Sequence, residues 1–137
     1  MKTLIMTVGL PRSGKSTWTK TQGLPIVSLD SIRLALHGDK RNQVMEPFII
    51  LTAKVMIRAL FYAGHDTVIL DSTCLTKSRR KEWKSELWLC KYIEFFTPKE
   101  ECIERAVKNG QQDLIEVIER LSNEREPITD LENIQPY

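Results

Sequence analysis

Residues 9–17 read Gly9-Leu-Pro-Arg-Ser-Gly-Lys-Ser-Thr17, and this stretch decides the fold. Gly9, Gly14, Lys15 and Ser16 complete the spacing G-x-x-x-x-G-K-[ST]. Ahead of it, residues 3–8 form a short apolar, β-branched run of the kind a strand requires. Behind it, residues 18–22 can continue the first turns of a helix. A strand, a glycine-bearing loop and a helix start together cradle a nucleotide phosphate. Backbone N–H groups turn inward, and the helix N-terminus adds partial positive charge. Glycine permits the torsions and close approaches that such a loop needs. Lys15 is spaced to reach the β- and γ-phosphates, and the Ser16 hydroxyl to ligate Mg²⁺. Thr17 either contacts an α-phosphate or only starts the helix. Gly9, Arg12, Ser13, Gly14, Lys15, Ser16 and Thr17 form the candidate nucleotide-binding set. A chance turn before a helix is the competing explanation, and the agreement of strand, loop and helix argues against it.

Working outward, two acidic residues stand where strands end. Residues 25–29 read as a second strand, and Asp30 follows at its carboxyl end. Residues 67–70 are a fully apolar third strand, and it delivers Asp71. In an open parallel sheet that edge is where ligands bind. Asp71 is a candidate for holding Mg²⁺, or it orients Ser72 and its loop. Arg33 lies three residues after Asp30, so one helical turn presents both to one space. A helix cap and a surface arginine are the plainer alternatives.

The remaining pattern fills in one α/β domain over residues 1–137. A helix is expected over 44–63, buried through Val44, Phe48, Leu51, Val55 and the Ala59–Leu60 pair, and closed by Gly64. Another is expected over 76–90, with Trp83, Leu87 and Cys90 inward. Its start carries Lys77, Arg79, Arg80, Lys81 and Lys84, against the helix dipole, so part of the cluster either meets phosphate or is a solvated face. Residues 92–96 are the fourth strand. Thr97, Pro98 and Glu100 then read as a cap, first helical position and capping box. That helix runs to about Lys108, and Asn109-Gly110 ends it. Asp113 caps a last helix lined by Leu114, Val117, Ile118 and Leu121. The two helices joined at the polar hinge form a lid at about 105–120, with Arg105, Lys108 and Arg120 as its cations. Residues 128–137 can add an edge strand. The fold class is therefore three-layer α/β, with a central parallel sheet of four or five strands and a small helical lid.

Composition sets outer bounds. At 137 residues, 42% hydrophobic and 28% charged, the chain suits one globular core. The net charge of +2 excludes neither nucleic acid nor a small phosphorylated substrate. Three cysteines, at 74, 90 and 102, form no close pair and suit reduced thiols in a cytosolic protein better than a zinc site or disulfide framework. No apolar run reaches membrane-spanning length, and no signal peptide is expected, because its cleavage would destroy the phosphate loop.

These residues resemble the 5′-kinase domain of phage polynucleotide kinases and the wider family of small phosphate-loop kinases around it. The loop and Trp18 match that family's phosphate loop and following tryptophan, although Arg12 stands where a glycine is frequent. Asp30-Ser-Ile-Arg33 matches its Asp-x-x-Arg element, Asp71-Ser-Thr73 is similar to its Asp-Thr-Asn, and residues 75–83 resemble its Arg-Arg-x-x-Trp helix. Arg105 falls on the first lid arginine; the second would fall at Asn109, where Lys108 is an imperfect neighbour. The resemblance covers essentially the whole chain. It implies ATP and Mg²⁺ as cofactors, with Asp30 as general base and Arg33 as acceptor clamp. Lys15 and Arg105 would act on the phosphates, Lys108 would assist them, and Ser16 and Asp71 would hold the metal. It implies phosphoryl transfer to the 5′-hydroxyl of a single-stranded or end-frayed nucleic acid, entering beside Arg33, Arg79 and Arg80. It also implies a cytoplasmic location, in the host cytoplasm for a phage protein. The alternatives are a kinase of a nucleoside, nucleotide or sugar, and an ATP-binding protein whose turnover Asn109 has weakened.

Overall fold

The computed structural model describes residues 1–40 and 42–129. Among these, four parallel strands form one sheet in the order β2-β3-β1-β4: β1 Thr3–Val8, β2 Ile26–Ser28, β3 Thr67–Asp71 and β4 Leu89–Glu94. Parallel neighbours need crossovers, and four helices lie in them: α1 Lys15–Lys20, α2 Leu29–His37, α3 Glu46–Tyr62 and α4 Lys77–Lys81, while α5 Lys99–Lys108 and α6 Leu114–Glu124 follow β4. The result is a three-layer α/β fold. β1 is central, with Leu4, Met6 and Val8 fully buried, and β3 beside it buries Val68, Ile69 and Leu70. Truncating one of these to alanine would cost about 2–5 kcal/mol.

Register sets the site. Met6 pairs with Leu70, and Ser28 with Asp71, so the chain leaves β1, β2 and β3 at one carboxyl edge. The expected edge strand has no counterpart at Ile128 and Thr129, and residues 130–137 lie outside those described.

Three expectations about helices are corrected. The buried face of α3 is Ile49, Ala53, Ile57 and Phe61, whereas Val44, Phe48, Leu51 and Val55 are each more than half exposed. The helix is apolar on both faces, so periodicity could not choose; contact with β2 and β3 does. The helix expected over 76–90 stops at Lys81. Trp88 Nε1 donates to the Trp83 carbonyl at 2.9 Å, and pairing with β1 draws residues 89 and 90 into β4. Leu87 is half exposed in consequence. Finally, Thr97 does not cap α5: Pro98 holds the cap position, and the Thr97 hydroxyl donates to the Ser13 carbonyl at 2.8 Å.

Candidate active site

The phosphate loop leaves β1 and enters α1 through two left-handed residues. Gly14 has φ 102°, with open space around the position of a Cβ, so glycine is needed there for its torsion. Arg12 takes φ 66° with a side chain, a conformation that costs about 1–2 kcal/mol. Arg105 Nη1 braces it by donating to the Arg12 carbonyl at 3.1 Å, while Nη2 holds Glu101 at 2.8 Å. Gly9 serves a different need: a Cβ there would come within 2.8 Å of Ser13 Oγ and 2.9 Å of Phe95 Cβ. Trp18 stacks edge-on against Phe95, centroids 5.9 Å apart, pinning α1 to the end of β4. Arg125 bonds the Phe95 carbonyl at 2.8 Å and Glu94 at 3.2 Å from the other side.

The loop's donors fit a phosphate. α1 has no side-chain cap, and its first N–H groups find no acceptor within the helix. Ser13 Oγ is buried without a hydrogen-bond partner. Buried polar atoms are seldom left so, and one inside this loop suits an anion acceptor. Lys15 is 93% buried (7% exposed) and folds back to donate to the Leu10 carbonyl at 2.7 Å. Burial pushes its ammonium down to about 8, partly offset by the charge of Asp71 and, more weakly, by that of Asp30.

Ser16 Oγ donates to Asp71 Oδ2 at 2.9 Å. Thr7, fully buried on β1, ties the same turn: its hydroxyl accepts from Ser72 N at 3.2 Å and lies 3.5 Å from Asp71 Oδ1. A hydroxyl beside one carboxylate is the donor set of a Mg²⁺ that keeps several waters and takes its other ligands from phosphate. No group of three or more metal-binding side chains occurs among the described residues, so these offer no all-protein cage.

At the end of β2, Ser28 caps α2 by accepting from Ser31 N at 3.2 Å. Asp30 is thus not the cap; it lies in the first turn, largely exposed. Arg33 Nη1 donates to Asp30 Oδ1 at 2.8 Å. The rest of the guanidinium grips Glu46, through Nε at 3.2 Å and through Nη2. Burial would lower the Arg33 pKa, but the Glu46 bond and the charges of Glu46 and Asp30 outweigh it and raise it. Glu46 was invisible to sequence reasoning. It is 13 residues from Arg33 and reaches it because Met45 takes a left-handed turn, φ 65°, into α3.

Other expected residues part from the site. Arg80 is fully buried and donates to the carbonyls of Cys74 (2.9 Å), Glu126 (3.1 Å) and Pro127 (3.3 Å). It fastens the segment at Glu126–Pro127 instead of facing an acceptor, while Arg79 stays exposed. Lys108 pairs with Glu104 at 3.1 Å on an exposed face, and Arg120 lies 4.0 Å from Glu124. Asn109 caps α5, its Nδ2 donating to the Arg105 carbonyl at 2.8 Å.

A family profile described as AAA domain matches residues 4–126, spanning the loop, both strand-end aspartates and both final helices. The chain belongs to that AAA domain family. Among solved structures, this AAA domain is similar to a chain of the Pnkp1/Rnl/Hen1 complex, 26% identical with TM-score 0.67, over 76% of this chain and 38% of that one. It is also similar to a chain of the Pnkp1/Rnl/Hen1 RNA repair complex, at 20% identity and TM-score 0.59, over 91% of this chain and 46% of that one. A gluconokinase from Sinorhizobium meliloti 1021 shares the fold at 15% identity and TM-score 0.58, over 90% of this chain and 74% of that one. The AAA domain spans less than half the length of either repair-complex chain. Together these describe a phosphate-loop, kinase-like domain. No helix among the described residues is long and apolar enough to cross a membrane.

Proposed function

We propose that the protein is an ATP-dependent kinase that phosphorylates a hydroxyl of a small polyhydroxylated molecule, such as a sugar or nucleoside. One observation carries the choice of acceptor: Arg33 is held by two carboxylates, Asp30 and Glu46. With the general base Asp30 itself counted, two carboxylates around one guanidinium sum to −1. A phosphate next to the reacting hydroxyl would be repelled there, whereas a neutral hydroxyl would accept or donate hydrogen bonds freely.

In this reading ATP lies along the phosphate loop, and Lys15 with the loop N–H groups carries the charge of its phosphates. Ser16 and Asp71 would hold Mg²⁺, which neutralises phosphate charge when bound. The acceptor oxygen bonds to the γ-phosphorus as the bond to the β,γ-bridging oxygen breaks, and Asp30 takes the hydroxyl proton. Arg33 keeps Asp30 oriented. Arg105 holds the loop in shape and closes the donor side in a lid at 105–120.

A second reading, transfer to a polynucleotide 5′-hydroxyl, is favoured by the 26% identity with the Pnkp1/Rnl/Hen1 chain. Labelled-phosphate transfer from ATP to a panel of sugars, nucleosides and 5′-hydroxyl oligonucleotides tests both. The proposal expects kcat/KM highest on a neutral small molecule. Transfer to oligonucleotides alone would replace it with the second reading, and no transfer to any acceptor would overturn both.

A further inference from the structure

α3 carries a second apolar stripe that the monomer leaves open. Phe48, Leu51 and Val55 are each more than half exposed, Tyr62 more so, and Arg58 lies in the same row. Their spacing is 3, 4, 3 and 4 residues, the repeat of a seam made for one facing helix, narrower than the stripe that covers a sheet. The row is also self-complementary under a two-fold axis between Leu51 and Val55. Leu51 then meets Val55 of a second copy, Phe48 meets Arg58, and Tyr62 meets the Val44–Met45 turn. All positions in the row find a compatible partner, and Arg58 finds an aromatic face that suits a guanidinium. Beside Thr52 and the exposed Ala59, two helices can approach closely.

Where the row ends, a cavity of about 150 Å³ opens between Arg58, Phe61, Tyr62 and Trp88. In the two-fold arrangement it faces Val44 and Met45 of the second copy, both more than half exposed in one chain. Two aromatics that each offer about 150–250 Å² when fully covered, with Leu51, Val55, Val44 and Met45, supply several hundred Å² per copy. That is the scale of a small specific interface, for which about 800 Å² per partner is standard.

We propose that the chain forms a homodimer through antiparallel packing of α3 on α3 of a second copy, with Leu51 against Val55 at the centre. The arrangement is isologous and closes on itself, so it gives dimers and not chains of higher order. It buries the apolar row that the core does not use.

Sedimentation equilibrium of the full chain, from low to hundreds of micromolar, tests it. The wild type is expected as a dimer. Leu51→Glu is expected to weaken association at least about a hundredfold, as loss of a central contact does, with an unchanged circular dichroism spectrum because Leu51 faces solvent within one chain. The double variant Leu51→Glu/Val55→Lys is expected to dimerise again, since the antiparallel register sets each new carboxylate against a new ammonium. Val55→Glu repeats the single test if Leu51→Glu does not fold. A wild type that stays monomeric throughout, a dimer indifferent to the single variants, or a double variant that remains monomeric would each overturn the proposal.

Discussion

Ser16 Oγ and Asp71 Oδ2 meet at 2.9 Å, across 55 residues of sequence and between the start of α1 and the end of β3. The contact joins the hydroxyl of the phosphate loop to the carboxylate of the neighbouring strand, with Thr7 fixing the turn below them. Asp71→Asn keeps a side chain of the same shape and removes its charge. If the pair is the metal site, the Mg²⁺ concentration for half-maximal transfer should rise about 10–100-fold, the usual cost of losing a group that supports a metal ligand. Metal-free ATP binding should hold or tighten. An unchanged Mg²⁺ requirement would leave Asp71 a role only in shaping the turn.

Lys15 offers a test that needs no acceptor. Its ammonium is pushed down to about 8 by burial in the free protein, against an ordinary 10.5. Bound phosphates would restore the charged form, so ATP binding near pH 8 to 9 should take up protons. Calorimetry in buffers of different ionisation enthalpy measures that uptake, and Lys15→Met should abolish it. The same shift has a sign for stability. Between about pH 8 and 10.5 the unfolded chain holds the Lys15 proton while the folded chain releases it, so this group's contribution to stability rises with pH. Subtracting urea-unfolding profiles of Lys15→Met from wild type isolates it from the Cys74 thiol, which burial raises to about 11 and which acts in the opposite direction. A flat difference over that window would refute the buried cation.

Much of this architecture was legible because local pattern and tertiary demand agree. The four strands and five of the helices occur where apolar runs, Gly64 and the Asn109–Gly110 pair set them, and the loop motif located the edge where Asp30 and Asp71 gather. What was not legible needed knowledge of what lies opposite. α3 has two apolar faces, and only the sheet decides which is inside. Trp83 and Trp88 end a helix by bonding to each other across a turn, which helical periodicity cannot register. Arg33 finds Glu46 through a left-handed turn at Met45, a torsion that a methionine does not announce. Arg80 reads as one cation in a row of five until its three carbonyl acceptors are seen.

Arg79 and Arg80 should consequently separate. Arg80→Met leaves the carbonyls of Cys74, Glu126 and Pro127 without their donor, and hydrogen bonds from a charged group contribute about 1.5–3 kcal/mol. Chemical denaturation should show a loss of about 2–4 kcal/mol. Arg79→Ala, on an exposed position, should stay within about 0.5 kcal/mol of wild type. If an oligonucleotide is an acceptor, any salt dependence of its KM should follow Arg79 and not Arg80. Equal stability of the two variants would mean that the buried guanidinium is dispensable.

Asp30, Arg33 and Glu46 carry the most discriminating experiment, because each substitution predicts a different kinetic signature. Carboxylates are weak bases as a class. Asp30 suffices here because phosphoryl transfer loosens the phosphate first and asks for the hydroxyl proton late. Asp30→Asn should therefore lower kcat by about a hundredfold or more, roughly 3 kcal/mol, while the ATP dissociation constant stays within about twofold. Arg33→Ala frees Asp30 from its 2.8 Å tether and should lower kcat more than it raises acceptor KM, since orientation is what is lost. Glu46→Gln keeps the bond to Arg33 but removes one negative charge, changing the local sum from −1 to neutral. It should improve kcat/KM for acceptors bearing a phosphate near the reacting hydroxyl, relative to neutral ones. The measurement is kcat/KM for matched neutral and phosphorylated acceptors across the three variants, with ATP affinity measured separately. Wild-type turnover in Asp30→Asn would move the base elsewhere. A Glu46→Gln variant that leaves the ratio of phosphorylated to neutral acceptor unchanged would mean that the carboxylate pair around Arg33 does not set acceptor charge. Proportional loss of ATP binding in all three would assign the cluster to the donor side of the sheet edge.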